Sequence, residues 1–213
     1  MRVLLVDDHR IMRDGLRAIL TREPDVEVVG EAADGREAVT QAVALGPDIV
    51  VMDISMGGLN GLDATRRVLE ARPKTRVICL SMHSDRRYVH AMFEAGAVGY
   101  LLKNVAAAEL IQALRVVSRG QTYVSPAVAD VVVEGLRSEG ASGPSPPLAL
   151  TARERELLQL LAEGLTSKEA AARMGIAVST VETYRKQIMD KLGLRSVAEL
   201  TKYALRHGIT SLD

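Results

Sequence analysis

Five short apolar runs recur through the first 120 residues, near Val3–Val6, Val26–Val29, Ile49–Met52, Val77–Leu80 and Val98–Leu102. Each is rich in Val, Ile and Leu, is bounded by Gly, Pro, Asp or Ser, and is too short for a buried helix. Between them the apolar residues take helical spacing, near 10–21, 35–45, 61–71, 85–95 and 105–118. Strands that are apolar on both faces and alternate with helices predict a five-stranded parallel sheet covered by helices on each side, an α/β fold. In such a sheet ligands bind outside the carboxyl ends of the strands.

This alternation stops at residues 138–147, Ser-Glu-Gly-Ala-Ser-Gly-Pro-Ser-Pro-Pro, which hold almost no large apolar group and predict a linker. Just before it, Pro126–Arg137 carries Val128, Val131, Val132 and Leu136 at helical spacing, so one more helix leads into the linker. Beyond it the strand pattern is gone. Four segments open with Ser or Thr followed three residues later by Glu: Thr151/Glu154, Thr166/Glu169, Ser179/Glu182 and Ser196/Glu199. Each is a capping-box pattern, in which two side chains satisfy orphan helix-terminal N–H groups. Gly164, Gly175, Gly193 and Gly208 fall where those helices should stop. The expected organisation is an α/β domain over 1–122, a linker helix and flexible linker over 123–147, and an all-α four-helix domain over 148–213.

Composition narrows the function classes. Lys plus Arg and Asp plus Glu are both 27, so any nucleic-acid binding must come from a local patch rather than bulk charge. The lone Cys79 permits no intrachain disulfide and no multi-cysteine zinc site, and its apolar setting fits a reducing cytoplasm. No apolar run approaches the roughly 18–20 residues that span a bilayer, and the acidic turn at Asp7 argues against a signal peptide. With six aromatic residues and no Trp, an aromatic-lined pocket or base-stacking platform is disfavoured.

Polar residues stand at the carboxyl ends of four strands: Asp7 and Asp8 after the first, Asp53 at the third, Ser81 at the fourth, Lys103 at the fifth. In strand order 2-1-3-4-5 these converge on one crevice. Each Asp taken singly could simply cap the following helix; the whole set at its respective strand ends points to a site. Two unit charges about 4 Å apart cost roughly 4 kcal/mol at an effective dielectric of 20. A hard divalent cation relieves that repulsion, Mg²⁺ foremost. A metal, a hydroxyl and an ammonium around one carboxylate suit a phosphoryl group. The histidines invite a blander account: His9 begins a helix, His90 and His207 stand alone, and no two have ligand spacing, which argues against a transition-metal site. His83, two residues past Ser81, lies at the crevice rim.

In the second half, a helix running from after Ser179 to about Leu192 presents Val181, Tyr184, Ile188 and Leu192 to the core and Thr183, Lys186, Gln187 and Asp190 outward. The preceding helix, Ser167–Met174, joins it through Gly175–Val178, which makes a helix-turn-helix able to enter a major groove. Residues 148–213 hold ten basic and eight acidic side chains, net +2, so DNA affinity must come from Lys168, Arg185, Lys186, Lys191 and Arg195. Thr183 offers a methyl to thymine, Lys186 suits guanine or phosphate, and Gln187 could pair with adenine. Glu182 is expected to serve Ser179 as its capping partner and not to contact DNA.

Val6-Asp7-Asp8-His9, Asp53-Ile-Ser-Met56 followed by Gly61, Leu80-Ser81-Met82-His83 and Gly99-Tyr100-Leu-Leu-Lys103 carry a resemblance. Residues 1–120 resemble the receiver domain of bacterial two-component response regulators, with its flavodoxin-like topology. The resemblance implies that Asp53 is the phosphoacceptor. It implies that Asp8, Asp53 and the Ser55 carbonyl hold Mg²⁺, with Asp7 assisting through water. Ser81 and Lys103 would contact the phosphoryl oxygens and Tyr100 would be the aromatic switch. One departure is Met56-Gly57-Gly58, where the family usually has Met-Pro; glycine frees the loop that proline would fix, and the Ser55 carbonyl with it.

Leu150–Leu158, Ala162–Glu169, Ser179–Tyr184 and Ile188–Leu192 resemble the LuxR/NarL type of DNA-binding domain. That likeness implies a dimer on two half-sites with the last helix, Val197–His207, at the dimer contact. Here Tyr184 stands where a histidine is common in the family, and Glu182 where some members have a lysine. Together the halves resemble the NarL/FixJ response regulators. This implies a cytoplasmic, phosphorylation-controlled transcription regulator, not an enzyme beyond its own phosphoryl transfer and dephosphorylation. Its implied partners are a sensor histidine kinase, double-stranded promoter DNA, a second copy when phosphorylated and RNA polymerase, with no membrane. A haloacid-dehalogenase-like phosphatase is disfavoured because Ser55 stands where such an enzyme needs a second acid. A ligand-sensing LuxR-type regulator is disfavoured by the aromatic-poor, acid-bearing first half.

Overall fold

The computed structural model describes residues 1–84, 86–104, 107–139, 150–207 and 209–210. Its described residues divide into two compact units, one of residues 1–56 and 61–139 and one of residues 57–60 and 150–210. The flexible linker expected over 138–147 and the helix stop expected at Gly208 lie largely or wholly outside the described residues. Among those residues no helix is long and apolar enough to cross a membrane.

The first unit runs β1 (Arg2–Val6), α1 (Arg10–Leu20), β2 (Glu27–Ala32), α2 (Gly35–Leu45), β3 (Ile49–Asp53), α3 (Gly61–Ala71), β4 (Arg76–Ser81), α4 (Arg86–Glu94), β5 (Gly99–Leu102), α5 (Ala107–Ser118), β6 (Tyr123–Val124) and α6 (Pro126–Glu139). All neighbouring strands are parallel, in the order β2-β1-β3-β4-β5-β6. The first five strands take the expected order. The sixth extends the sheet past residue 122, where the linker was expected to begin. Two residues carry no period, so β6 left no pattern to read; it exists because the β5 edge offers Gly99 and Tyr100 as partners for Tyr123 and Val124.

Alternation along the strands builds two cores. Val3, Leu5, Ile49, Val51, Ile78, Leu80 and Leu101 pack on Leu16 and Leu20 of α1 and Leu110, Leu114 and Val117 of α5. Leu4, Val50, Met52, Cys79 and Tyr100 are buried on the other face, which α2, α3 and α4 cover. Burying each such side chain fully contributes roughly 1.5–3 kcal/mol. Every central strand is thus clamped from both sides, which fixes where its carboxyl end points.

The second unit holds α7 (Ala152–Ala162), α8 (Ser167–Met174), α9 (Val178–Leu192) and α10 (Val197–Arg206) around Leu157, Leu158, Leu161, Ala170, Met174, Val181, Ile188, Leu200 and Ala204. The capping boxes at Thr151/Glu154 and Thr166/Glu169 are complete. At α10 the Ser196 hydroxyl accepts from Glu199 N, but the Glu199 carboxylate takes Arg195 N. The box expected at Ser179/Glu182 does not form. Helix α9 starts two residues earlier, on extended Ala177 with no side-chain cap, so Ser179 already lies inside the first turn. Glu182 pairs with Arg185 instead, at 2.7 Å.

Candidate functional site

The β1, β3, β4 and β5 carboxyl ends lie side by side, in registers Val6↔Met52, Asp53↔Leu80 and Ser81↔Leu102. Asp7, Asp53 and Ser81 are buried there. The Lys103 amide donates to the Ser81 carbonyl at 2.8 Å, and its ammonium reaches into the crevice. Lys103 Nζ lies 2.7 Å from Asp53 Oδ2 and 2.8 Å from Asp7 Oδ2, with only 6% of its side chain exposed. Burial pushes the Asp53 carboxyl up to about 6, against the pull of Lys103 and with a further push from Asp7. Burial also disfavours the Lys103 ammonium, but the Asp53 and Asp7 carboxylates outweigh it and hold its pKa above the ordinary value.

His9 joins this cluster. Its Nδ1 lies 2.8 Å from Asp8 Oδ1 and 3.3 Å from Asp7 Oδ1. One ligand atom from each of Asp7, Asp8, His9 and Asp53 falls within 4.8 Å of every other. A search of the sequence for histidine pairs misses this, because the partners of His9 are acids; the signal was its adjacency to Asp7 and Asp8.

A second layer surrounds the acids. Ser55 N donates to Asp53 Oδ1 at 3.2 Å. The Ser81 hydroxyl accepts from His83 N, and the fully buried Tyr100 donates its hydroxyl proton to the His83 carbonyl at 2.7 Å. The His83 ring lies 3.1 Å from the Ser55 hydroxyl through Nε2 and stacks on Tyr88 at 4.3 Å. One residue thereby ties the β4 end, the loop after Asp53, and the aromatic residue of β5. Gly61, the first residue of α3, passes so close to β3 that a Cβ would meet the Asp53 carbonyl oxygen at 1.9 Å. Gly57, by contrast, has open space where its Cβ would lie and no positive φ.

In the second unit, Gly175 ends α8 in the left-handed region, φ 67°, and the turn leads into α9. Val181 and Ile188 are buried, and Tyr184 and Leu192 pack against the core, as expected. Thr183, Lys186, Gln187 and Asp190 are exposed along the other face, and Lys168 is exposed near the start of α8. The Thr183 hydroxyl donates to the Ser179 carbonyl, which leaves its methyl unengaged. Two expected DNA contacts are otherwise committed. Arg185 pairs with Glu182. Lys191 donates to both Glu154 carboxylate oxygens at 2.7 Å, tying the end of α9 to the start of α7. Against the push of burial, Lys191 and Thr151 hold the Glu154 carboxyl below its ordinary pKa. Only proximity in the folded unit reveals that tie, since 37 residues separate its ends.

A crevice lined by acids, a hydroxyl and an ammonium on a six-stranded parallel sheet, in a chain that also carries a helix-turn-helix unit, has the make-up of a two-domain regulator. Residues 3–115 match the response regulator receiver domain, and residues 148–204 match the bacterial regulatory proteins of the luxR family. The chain belongs to the NarL/FixJ response regulators and is a DNA-binding transcription regulator. It is 40% identical over 211 residues to the transcriptional regulatory protein LiaR of Bacillus subtilis, covering 99% of this chain and 100% of LiaR. Among solved structures it is similar to a LuxR-family response regulator from Aurantimonas, with 39% identity, TM-score 0.61, and coverage of 64% of this chain and 97% of that one. A complex of the response regulator RcsB with DNA shows 26% identity and TM-score 0.60, over 97% of this chain and 98% of RcsB.

Proposed function

We propose that Asp53 accepts a phosphoryl group from a partner sensor histidine kinase and that this acceptance controls promoter binding by the luxR-type unit. The observation that carries the proposal is the buried Asp53 carboxylate held between Lys103 on one oxygen and Asp7 and Asp8, which follow β1, beside it. An Asp53 oxygen attacks phosphorus of a phosphohistidine; the O–P bond forms, the P–N bond breaks, and the leaving imidazole nitrogen keeps the electron pair and takes a proton from solvent. Lys103 and the Ser81 hydroxyl then meet the phosphoryl oxygens, and Tyr100 reports the change through the His83 carbonyl it binds.

The donor set fits a hard dication: Asp7, Asp8 and Asp53 supply oxygens within one small volume. Mg²⁺ would be held by Asp8, Asp53 and the Ser55 carbonyl, with Asp7 assisting through water, and bound there it would supply positive charge against both the acids and the incoming phosphoryl group. Intact-mass measurement with a small phosphodonor and Mg²⁺ should show one added phosphoryl group. The same adduct on Asp53→Ala, or in excess chelator, would refute the assignment.

Functionally the chain divides into the receiver through residue 122 with its β6–α6 extension, a linker to 147, and the DNA-binding domain from 148. The lone thiol, buried at Cys79, supports work in a reducing cytoplasm. RNA polymerase and a second copy of the chain are the further partners. Of the DNA contacts, Thr183, Lys186 and Gln187 present base-reading groups, while Lys168, with Arg185 once released from Glu182, engages phosphate. Lys168→Ala should weaken all sequences alike and flatten the salt dependence. Lys186→Ala or Gln187→Ala should cost roughly 1–3 kcal/mol on the best site and relax preference at one position per half-site. Binding titrations on specific and scrambled duplexes at several salt concentrations separate these outcomes. An unchanged specific-to-scrambled ratio for both α9 variants would mean that another face enters the groove.

A further inference from the structure

A capping duty to Ser179 would keep Glu182 off DNA, but that box does not form, because α9 already starts on Ala177. The Glu182 carboxylate is instead 43% exposed and lies 2.7 Å from the Arg185 guanidinium. It stands one turn before Lys186, at the border of the outward face that also carries Thr183 and Gln187. A groove runs along this border, and Glu182, Arg185, Lys186, Asp190 and Arg195 line it. Three cations there outnumber two acids, so a DNA backbone approaching this side of α9 meets net positive charge. An ion pair this exposed is weakly held and opens at small cost. Once Arg185 turns to a phosphate, the Glu182 carboxylate has lost its partner and must find a donor elsewhere.

We propose that Glu182 reads a base edge in each half-site and selects cytosine there. The proposal rests on α9 entering the major groove. Residues toward the N-terminal end of a recognition helix contact base edges, and Glu182 is the fifth residue of α9. An ionised carboxylate accepts hydrogen bonds and donates none. In the major groove guanine shows it two acceptors, N7 and O6, and thymine an acceptor beside a methyl group. Adenine sets the N7 acceptor next to its N6 donor. Cytosine presents the N4 amino donor with no acceptor of its own beside it. The carboxylate is therefore satisfied by cytosine and repelled by the acceptors of the other bases, so Glu182 sets specificity by rejection as well as by attraction.

The test uses the full chain with Mg²⁺ and a small phosphodonor, and selects bound duplexes from a random pool. Glu182→Gln should move the preference at one position per half-site from cytosine to adenine, because an amide both donates and accepts. Glu182→Ala should lose that preference, bind scrambled duplex at least as tightly as the parent, and cut the specific-to-scrambled affinity ratio about tenfold. Arg185→Ala should weaken all duplexes alike and keep the cytosine. A cytosine preference that Arg185→Ala removes places the contact on the paired guanine and overturns the role of Glu182. Glu182 variants that tighten every duplex equally, or a parent site with no such cytosine, overturn it too. In these cases Lys186→Ala still relaxes its own position, and the groove reading stands. No DNA binding, or a preference unchanged in the Glu182, Lys186 and Gln187 variants alike, overturns both.

Discussion

Gly61→Ala should cost the receiver about 3 kcal/mol or more and slow phosphorylation of Asp53 at least tenfold, because the new methyl group has nowhere to go. At Gly61 a Cβ would lie 1.9 Å from the Asp53 carbonyl oxygen, 2.8 Å from its carbonyl carbon and 2.9 Å from Ile54 Cα. All three are backbone atoms, so no rotamer change relieves the clash. Carbon atoms pack best at about 3.5–4.0 Å, so the start of α3 must withdraw from β3 by an ångström or more. That withdrawal stretches the bond from Gly61 N to the Ile54 carbonyl, now 3.0 Å, and displaces the peptide that carries Asp53. Gly15 supplies the control. It lies inside α1 with open space around its Cβ, so Gly15→Ala should stabilise the receiver by roughly 0.5–1 kcal/mol. Denaturant unfolding of both variants, with phosphorylation rates beside it, checks the pair. A Gly61→Ala protein within about 0.5 kcal/mol of the parent would show that α3 is free to move off β3.

These two glycines show what a sequence makes legible. Both are single letters within helical stretches; the motif after Asp53 marks Gly61, but the reason glycine is needed there is a non-local distance. The same holds for Lys191, whose helical spacing and charge suggest a DNA contact, while Glu154 of α7 waits 2.7 Å away in the folded unit. Strands β1, β3, β4 and β5 were legible because both their faces are buried, which writes an unbroken apolar run. Asp7, Asp8, Asp53, Ser81 and Lys103 were legible because each follows directly on such a run. Thr151 and Thr166 announced their helices, yet the same Ser-x-x-Glu spacing at Ser179 did not. There the extended Ala177 after the Gly175–Ile176 turn sets the helix start, and a capping pattern one turn deep cannot sense that. His9 belongs with the non-local cases, since only the fold brings Asp53 into its cluster.

In the absence of divalent metal, Asp53→Asn should be more stable than the parent at pH 7.5, by about 1–3 kcal/mol. Burial holds the folded Asp53 carboxyl at about 6, against 3.8 for the ordinary group. Between those values the folded chain keeps a proton that the unfolded chain has released. Stability from this group is therefore fully present below about pH 4 and is lost as pH rises through about 6. At 1.36 kcal/mol per pH unit, the gap between 3.8 and about 6 corresponds to about 3 kcal/mol. Asparagine avoids that cost but accepts a weaker bond from Lys103, which sets the lower end of the range. The advantage of Asp53→Asn should shrink toward pH 4.5, where the parent carboxyl is protonated in the fold. Mg²⁺ should reverse the order by favouring the folded parent through binding, with a smaller gain for Asp53→Asn, which has lost one of the two directly ligating carboxylates. Denaturant unfolding at pH 4.5 and 7.5, in chelator and in Mg²⁺, followed by hydrogen exchange of the β1, β3 and β4 amides, reads all four conditions on the receiver alone. A parent at least as stable as Asp53→Asn in chelator at pH 7.5 would mean that Lys103 fully compensates the buried charge. The crevice would then hold its acids without strain, and Mg²⁺ would have no repulsion to relieve.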